Sequence, residues 1–294
     1  MRDSLKLWID GARPRTLPAA FAPVIVGASC AGLETDASNN WLNGFFALLV
    51  SVALQVGVNY ANDYSDGIRG TDQNRVGPLR LVGSGLKSKK SVKLAAFISF
   101  GVAAVFGLLL AIATSYWLIA IGVACLLAGW FYTGGKNPYG YLGFGELFVF
   151  IFFGLVATVG TTFVIAEKVT ITSWLSSIVV GCLACALLSV NNLRDIDGDR
   201  SVGKRTLAVR LGENRARGFY VSLFVVAMIG VIVLSVENYF ALFGLVGLLT
   251  AWRPIRKVQD GAKGTDLIQV LVMTGRTQIS TAVCLSIGLV VSRF

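Results

Sequence analysis

The sequence predicts an all-α integral membrane protein, with about nine transmembrane helices in a bundle around a central cavity. Of its 294 residues, 55% are hydrophobic and 14% are charged, whereas charged residues make up about 25% of a soluble domain. The mean hydropathy is +0.70. Apolar runs long enough to cross about 30 Å of hydrocarbon recur along the chain. They cover residues 17–34, 42–62, 92–113, 116–132, 144–165, 172–192, 218–236, 238–252 and 271–291.

Basic residues predict the orientation of these helices. If the N-terminus is cytoplasmic, all but two of the 26 Lys and Arg residues lie on the cytoplasmic side, the exceptions being Lys168 and Arg293. Because Lys and Arg accumulate on that side, we expect a multi-pass protein of the cell membrane with a cytoplasmic N-terminus. The net charge of +10 then belongs mostly to one face, beside anionic lipid headgroups. It does not indicate a nucleic-acid partner.

The absence of His and the placement of Cys restrict the ligands available to a metal ion. The chain contains no His, which removes the commonest general base and the imidazole metal ligands. Its five Cys residues lie in apolar runs, where a free Cys behaves as a small core residue. Any metal ion must therefore be held by oxygen ligands.

A polar stripe descends the second apolar run towards its cytoplasmic end. At 100° per residue, its side chains fall within about 100° of one another. They are Gln55, Asn59, Asn62, Asp63 and Asp66. Acids needed only for solubility would scatter around the helix, so this arrangement indicates a site.

A second acidic cluster lies at the corresponding end of the sixth run. Asn192, Asp195 and Asp199 fall within about 60° of one another on a helix, whereas Asp197 points to the opposite side. The second and sixth runs cross in the same direction, four spans apart. We therefore expect both acidic helix ends to meet at one cavity on the cytoplasmic side.

The matching clusters also predict the domain organisation. One membrane domain covers 1–294, with two related halves at about 17–132 and 144–252 and an added helix at 271–291.

Carboxylates that converge from two helices, without His or Cys, form a hard oxygen site suited to Mg²⁺. Mg²⁺ is usually held by one or two carboxylates together with substrate phosphates. Arg69 and Arg80 follow the first cluster and Lys204 follows the second, so these cations can bind the remaining phosphate charge. Beside an apolar cavity, such a site predicts the diphosphate ester of a long apolar alcohol as its ligand.

Both clusters resemble the acidic signatures of the UbiA-type membrane prenyltransferases. "NDYSDGIRGTD" at 62–72 is similar to the NDxxDxxxD signature, and "NNLRDIDGDRSVGKRTLAVRLG" at 191–212 contains the DxxxD signature. The first stretch departs from the pattern, because its third acid, Asp72, follows Asp66 by six residues rather than four. Asp63 and Asp66 are therefore the firmer expected metal ligands.

Two further stretches resemble the branch of this family that prenylates 1,4-dihydroxy-2-naphthoate. They are "YTGGKNPYGYLGFGELFVFIFFGLVATVGT" at 132–161 and "VLVMTGRTQ" at 270–278. The resemblance implies Mg²⁺-dependent transfer of a polyprenyl group from polyprenyl diphosphate to 1,4-dihydroxy-2-naphthoate, with loss of CO₂, to give demethylmenaquinol. The prenyl tail would lie in the bundle, open to the lipid bilayer.

The resemblance also implies roles for individual residues. The catalytic metal ligands would be Asp63, Asp66, Asp195 and Asp199. The diphosphate would be bound by Arg80, Lys204, Arg69, Asn62 and Asn192. The aromatic acceptor would be bound by Lys136, Glu146, Arg276, Tyr132 and Tyr139. The supporting positions would be Gln55, Asn59 and Asp72.

Three other interpretations are open from sequence. Within the same family, the acceptor could be 4-hydroxybenzoate or homogentisate, and turnover of 4-hydroxybenzoate without CO₂ release would indicate this. A membrane cation transporter would carry acids at mid-membrane depth and in the outer loops, where the sequence has no matching cluster. A non-catalytic lipid-binding protein would tolerate Asp63→Asn or Asp195→Asn.

Overall fold

The computed structural model describes residues 4–34, 39–70 and 80–294. Every regular element in these ranges is helical, which confirms the all-α class. The α-helices, in chain order, are α1 (Ser4–Ala12), α2 (Pro18–Gly32), α3 (Trp41–Arg69), α4 (Lys89–Ala113), α5 (Trp117–Phe131), α6 (Gly145–Val149), α7 (Ala157–Ala166), α8 (Ile171–Arg194), α9 (Ile196–Ser201), α10 (Leu207–Leu211), α11 (Glu213–Glu237), α12 (Phe243–Leu248), α13 (Trp252–Gln259) and α14 (Asp266–Val291). A π-helical segment, Phe150–Val156, joins α6 to α7 without a break.

Most of the predicted membrane runs correspond to long helices. Within the described ranges, six helices are long and apolar enough to cross a membrane, namely α3, α4, the continuous α6–α7 rod, α8, α11 and α14. Helices α2 and α5 are apolar but have only 15 residues each. The run expected at 238–252 is broken, because short 3₁₀ segments flank α12 there. The number of nine crossings and the division into related halves stay predictions.

Helix α8 lies at the centre of the bundle. Of its most apolar stretch, 67% is buried, and it packs against α11, α14 and the π-helical segment. Helix α5 lies at the periphery, where it packs on α3 and α4, and Gly129 is the one buried residue among those described in it. Large apolar side chains on α4, α5 and α11 are exposed. Such a surface suits lipid tails, which are as apolar as Leu.

Small residues allow the closest helix contacts, as is common within membranes. Gly247 in α12 lies against the backbone of α14, where a methyl group on its Cα would overlap Thr281 and Ser280. Backbone atoms cannot rotate away as a flexible side chain can. The contact between α12 and α14 therefore requires a glycine at this position.

We expect Gly247→Ala to lower the stability of the protein by about 1–3 kcal/mol, the usual cost of overpacking. A thermal unfolding curve of the detergent-solubilised protein measures this as a lower midpoint. Gly218→Ala is the matched control, because nothing lies within contact distance of a methyl group there. A midpoint for Gly247→Ala equal to that of the control would contradict the close contact.

Candidate active site

The C-terminal end of α3 brings Asp66 into contact with three other parts of the chain. Its Oδ1 lies 3.0 Å from Lys204 Nζ, and its Oδ2 lies 3.6 Å from Arg80 Nη2. It also accepts a hydrogen bond from the Tyr141 hydroxyl. All four side chains except Tyr141 are buried, so Asp66 is a buried acid compensated by two cations.

Lys204 connects the two acidic clusters. Besides its bond to Asp66, its Nζ lies 3.8 Å from Asp199 Oδ1. The end of α3 and the α8–α9 segment therefore face each other across a single ammonium group. Asp197, on the opposite side of α9, is 88% exposed at its side chain and contacts Arg200 at 3.5 Å.

Asp63 has different neighbours from Asp66. It is fully buried, and its two carboxylate oxygens accept hydrogen bonds from the backbone N–H groups of Leu81 and Val82 at 2.8 and 2.9 Å. These bonds fix the turn that follows Arg80. Asp63 thus places the guanidinium that contacts Asp66.

Asp195, the residue that follows α8, forms a bidentate ion pair with its neighbour Arg194. The Nε and Nη2 of Arg194 lie 2.9 and 2.8 Å from its two carboxylate oxygens, and Nη2 also donates to Asn191 Oδ1 at 2.9 Å. Bidentate pairs of this kind are among the stronger side-chain contacts. The sequence pattern did not single out Arg194, although it lies between Asn192 and Asp195 of the second cluster.

Asn62 and Asn192 each bond to a residue of the α5–α6 region. Asn62 Oδ1 accepts from Thr133 Oγ1 at 2.8 Å, and Asn192 Nδ2 donates to Glu146 Oε1 at 2.9 Å. The other oxygen of Glu146 is buried and has no hydrogen-bond partner among the residues that the structure describes. Asn62 therefore links the first acidic cluster to the connection between α5 and α6, and Asn192 links the second cluster to α6.

Arg69 and Tyr141 hold that connection against the end of α3. Arg69 donates to the carbonyl oxygens of Thr133 and Gly135, and its guanidinium lies 5.1 Å from the Tyr141 ring centre. Lys204 Nζ lies 4.5 Å from the same ring. Burial, and then the charge of Asp66, raise the pKa of Tyr141, so its hydroxyl stays a hydrogen-bond donor at neutral pH.

Tyr141→Phe removes the hydroxyl that bonds to Asp66 and leaves the ring in place. We expect kcat/KM for the prenyl transfer predicted from the sequence to fall by about 10–100-fold, since a hydrogen bond to a charged group contributes about 1.5–3 kcal/mol. Steady-state kinetics in membranes measure the change, with the exposed Tyr239 changed to Phe as control. Equal rates for the two variants would show that this hydroxyl is dispensable.

A cavity of about 1080 Å³ opens from this cluster into the bundle. Its polar end is lined by Asn59, Asn62, Arg80 and Arg194, and its far end reaches Trp174. Lining residues on α3 extend from Asn62 back to Ala47, a helix length of about 22 Å at 1.5 Å per residue. The cavity is thus a long apolar channel with charged groups at one end.

The five residues expected at the aromatic acceptor do not all lie at the cavity. Tyr132 and Tyr139 line the cavity, with ring centres 5.5 Å apart. Glu146 is buried beside Asn192. Lys136 and Arg276 are exposed and are not among the cavity-lining residues.

Gln55 and Asn59 fasten the N-terminal segment across the polar end of the cavity. Both donate to Thr16 Oγ1, at 3.0 and 3.1 Å, and Asn59 also donates to the Ala12 carbonyl oxygen at 2.8 Å. This brings Arg13 and Arg15 to the cavity lining. The sequence predicted a polar face on α3 but did not predict that this face binds the N-terminal segment. The polar stretch "ARPRT" at 12–16, just before the first apolar run, could have indicated this contact.

Asp72 lies outside the described residues. Within the described ranges, no group of three or more His, Cys, Asp and Glu side chains converges. Asp66 and Asp199 nevertheless face a common point at Lys204. Such a pair suits an ion that needs one or two carboxylates and takes its other ligands from a bound phosphate group.

The sequence is similar to known proteins along most of its length. Residues 20–273 match the UbiA prenyltransferase family. The chain is 47% identical to a 1,4-dihydroxy-2-naphthoate octaprenyltransferase of Mycobacterium tuberculosis over 96% of each chain. It is 33% identical to the enzyme of the same name from Escherichia coli, over 92% of this chain and 89% of that one.

Solved structures share the fold at low sequence identity. An apo UbiA homolog from Aeropyrum pernix superposes with a TM-score of 0.70 at 14% identity, covering 94% of this chain and 98% of that one. A UbiA homolog from Archaeoglobus fulgidus, bound to GPP and Mg²⁺, gives 0.67 at 14% identity, covering 97% and 99%. The arrangement of helices described above is therefore that of these membrane proteins.

Proposed function

Since the chain belongs to the UbiA prenyltransferase family, we propose that it transfers a polyprenyl group from polyprenyl diphosphate to 1,4-dihydroxy-2-naphthoate, with loss of CO₂, giving demethylmenaquinol. The observation that carries the proposal is Lys204, which lies between Asp66 and Asp199. Arg80, which also contacts Asp66, lines the charged end of the long apolar channel. The curated relatives named for this reaction match nearly the whole chain.

The charged end would bind the diphosphate. Arg80 and Lys204 are buried cations that can donate charge-assisted hydrogen bonds to phosphate oxygens. Asp66 and Asp199 would hold Mg²⁺, with Asp63 and Asp195 as the further proposed ligands. Bound Mg²⁺ would supply positive charge that stabilises the leaving diphosphate.

The prenyl group would be transferred to the aromatic ring in the adjoining part of the cavity. The allylic C–O bond breaks and its electron pair leaves with the diphosphate, so the prenyl carbon becomes cationic. The π electrons of the electron-rich ring form the new C–C bond. Loss of the carboxyl group as CO₂ returns an electron pair to the ring. The faces of Tyr132 and Tyr139 can stabilise the cation by about 0.5–2 kcal/mol each.

The acceptor carboxylate needs a cation within the cavity. Lys136 and Arg276 were the sequence candidates, but they do not line it. Arg13 and Arg15 do, and both are on the segment fastened by Asn59. We therefore place the carboxylate beside this segment, with Arg13 as its first contact.

Arg13→Gln is expected to raise the KM for the naphthoate about tenfold, the loss of a single charge-assisted contact, while the KM for the prenyl diphosphate stays unchanged. Lys136→Gln is the matched control and should leave both values alone. Kinetics with each substrate varied in turn measure the two constants. If only the Lys136 variant changes the naphthoate KM, the carboxylate lies at the α5–α6 connection instead.

The reaction itself is tested with the purified protein, a polyprenyl diphosphate, Mg²⁺ and ring-carboxyl-labelled 1,4-dihydroxy-2-naphthoate. We expect labelled CO₂ and demethylmenaquinol in equal amounts, and neither in the presence of EDTA. Turnover of 4-hydroxybenzoate without CO₂ release would reassign the acceptor. Cation flux in proteoliposomes, without any need for a prenyl substrate, would overturn the enzymatic proposal.

The same proposal assigns a location. We propose that the protein lies in the cell membrane. The basic residues favour an orientation with the N-terminus and the charged end of the bundle on the cytoplasmic side. Cysteine labelling at Thr265, in the exposed connection before α14, would test this orientation with a membrane-impermeant reagent after replacement of the native cysteines.

A further inference from the structure

A second cavity lies behind Lys204. It has a volume of about 590 Å³ and is formed by the connection between α9 and α10. Its lining residues are Arg200, Gly203, Lys204, Arg205, Val209 and Arg210. Four of these six carry positive charge, so we call it the basic pocket.

Backbone contacts hold the basic pocket in shape. The N–H of Lys204 donates to the Asp199 carbonyl oxygen at 2.9 Å, and that of Arg205 donates to the Tyr141 carbonyl oxygen at 2.8 Å. Arg210 Nε donates to the Arg205 carbonyl oxygen at 3.2 Å. Gly143, at a φ of 84°, leaves room for this side chain, because a methyl group there would lie 2.9 Å from Arg210 Nε.

Lys204 belongs to both sites. Its Nζ contacts Asp66 and Asp199 on the inner side, and the residue lines the basic pocket on the outer side. Arg200, Arg205 and Arg210 are all exposed. The basic pocket therefore leads from the proposed diphosphate site to the surface of the bundle.

We propose that the basic pocket binds inorganic diphosphate as it leaves the active site and is its route to water. The inference rests on the proposed function, which produces one apolar product and one highly charged product. An anion in an apolar interior is costly unless cations accompany it. The Arg side chains have paired N–H donors suited to phosphate oxygens. The apolar part of the channel has no such donors for the charged product.

The test measures diphosphate binding to the full-length protein in detergent with EDTA, because removal of Mg²⁺ weakens binding at the carboxylates and leaves the basic pocket intact. We expect wild type to bind inorganic diphosphate and the double variant Arg205→Gln, Arg210→Gln to bind it about tenfold or more weakly, having lost two charge-assisted contacts. The matched control is Arg215→Gln, Arg256→Gln, which removes two exposed arginines elsewhere and should bind like wild type.

Rapid-quench kinetics give a second measurement. The first turnover of the Arg205, Arg210 variant should match wild type, and later turnovers should be slower because diphosphate release has lost its route. Equal diphosphate binding by all three proteins would overturn the proposal. The proposal would also be overturned if the Arg205, Arg210 variant bound inorganic diphosphate normally but bound phosphatidylglycerol vesicles more weakly than wild type. The pocket would then bind a lipid headgroup. If wild type makes no prenylated product, the proposed function is wrong. If wild type is active and the Arg205, Arg210 variant binds diphosphate and turns over like wild type, only the proposed role of the basic pocket is wrong.

Discussion

Asp66→Asn is expected to lower kcat/KM for prenyl transfer by about a thousandfold, the upper range for loss of one preorganised charge in an active site. Asp66 contacts Arg80, Lys204 and Tyr141, and it is the proposed ligand that connects α3 to the second acidic cluster. An amide of the same shape keeps the packing but removes the negative charge. Prenyl transfer in membranes, at matched protein levels, measures the loss.

Asp197→Asn is the matched control for this prediction. It removes an acid from the same short segment as Asp195 and Asp199, yet its side chain is 88% exposed and paired with Arg200. We expect its rate to stay close to wild type. If Asp66→Asn retained comparable activity, the enzymatic assignment of the α3 cluster would be wrong.

Gly160→Phe should separate long prenyl chains from short ones. Gly160 lines the channel, and nothing lies within contact distance of a Cβ added there. It is about 22 Å along the helix from Gly145 at 1.5 Å per residue. A phenyl ring at this depth blocks the tail of a long chain and lies beyond a geranyl group. We expect kcat/KM for long polyprenyl diphosphates to fall about 10–100-fold, matching an overpacking cost of about 1–3 kcal/mol, with geranyl diphosphate unaffected.

Gly101→Phe provides the comparison. Gly101 is also helical and open to an added side chain, but it lies on the exposed face of α4 and not in the channel. Competition between long and short diphosphates, with the products separated by chain length, measures the preference directly. A preference unchanged by Gly160→Phe would mean that the tail binds elsewhere, for example along the lipid-facing side of α5.

Sequence patterns predicted the helical class because long apolar runs have few alternatives in a bilayer, where backbone groups must bond within the segment. They did not predict the break around α12. Gly247 and its neighbours there are as apolar as a membrane helix, and the interruption lies where this segment packs closely on α14. Local composition does not report such long-range contacts.

In the candidate site too, the sequence predicted local features but not long-range contacts. The stripe on α3 was visible because it depends only on helical spacing. Its partner Thr16, the bond from Tyr141 to Asp66, and the exposure of Lys136 depend on how distant loops return to the bundle. For that reason the sequence identified the acids better than it identified the cations and the acceptor pocket.

The bonds from Asp63 to Leu81 and Val82 mean that the two aspartates of one signature will not fail in the same way when mutated. An asparagine at Asp63 would turn an NH₂ group towards a backbone N–H, leaving a buried donor unsatisfied at a cost of about 1–3 kcal/mol. The turn after Arg80 would shift, and inactivity in that variant would combine a misplaced guanidinium with the loss of a proposed metal ligand. Scanning this signature for metal affinity therefore needs a structural readout at each position.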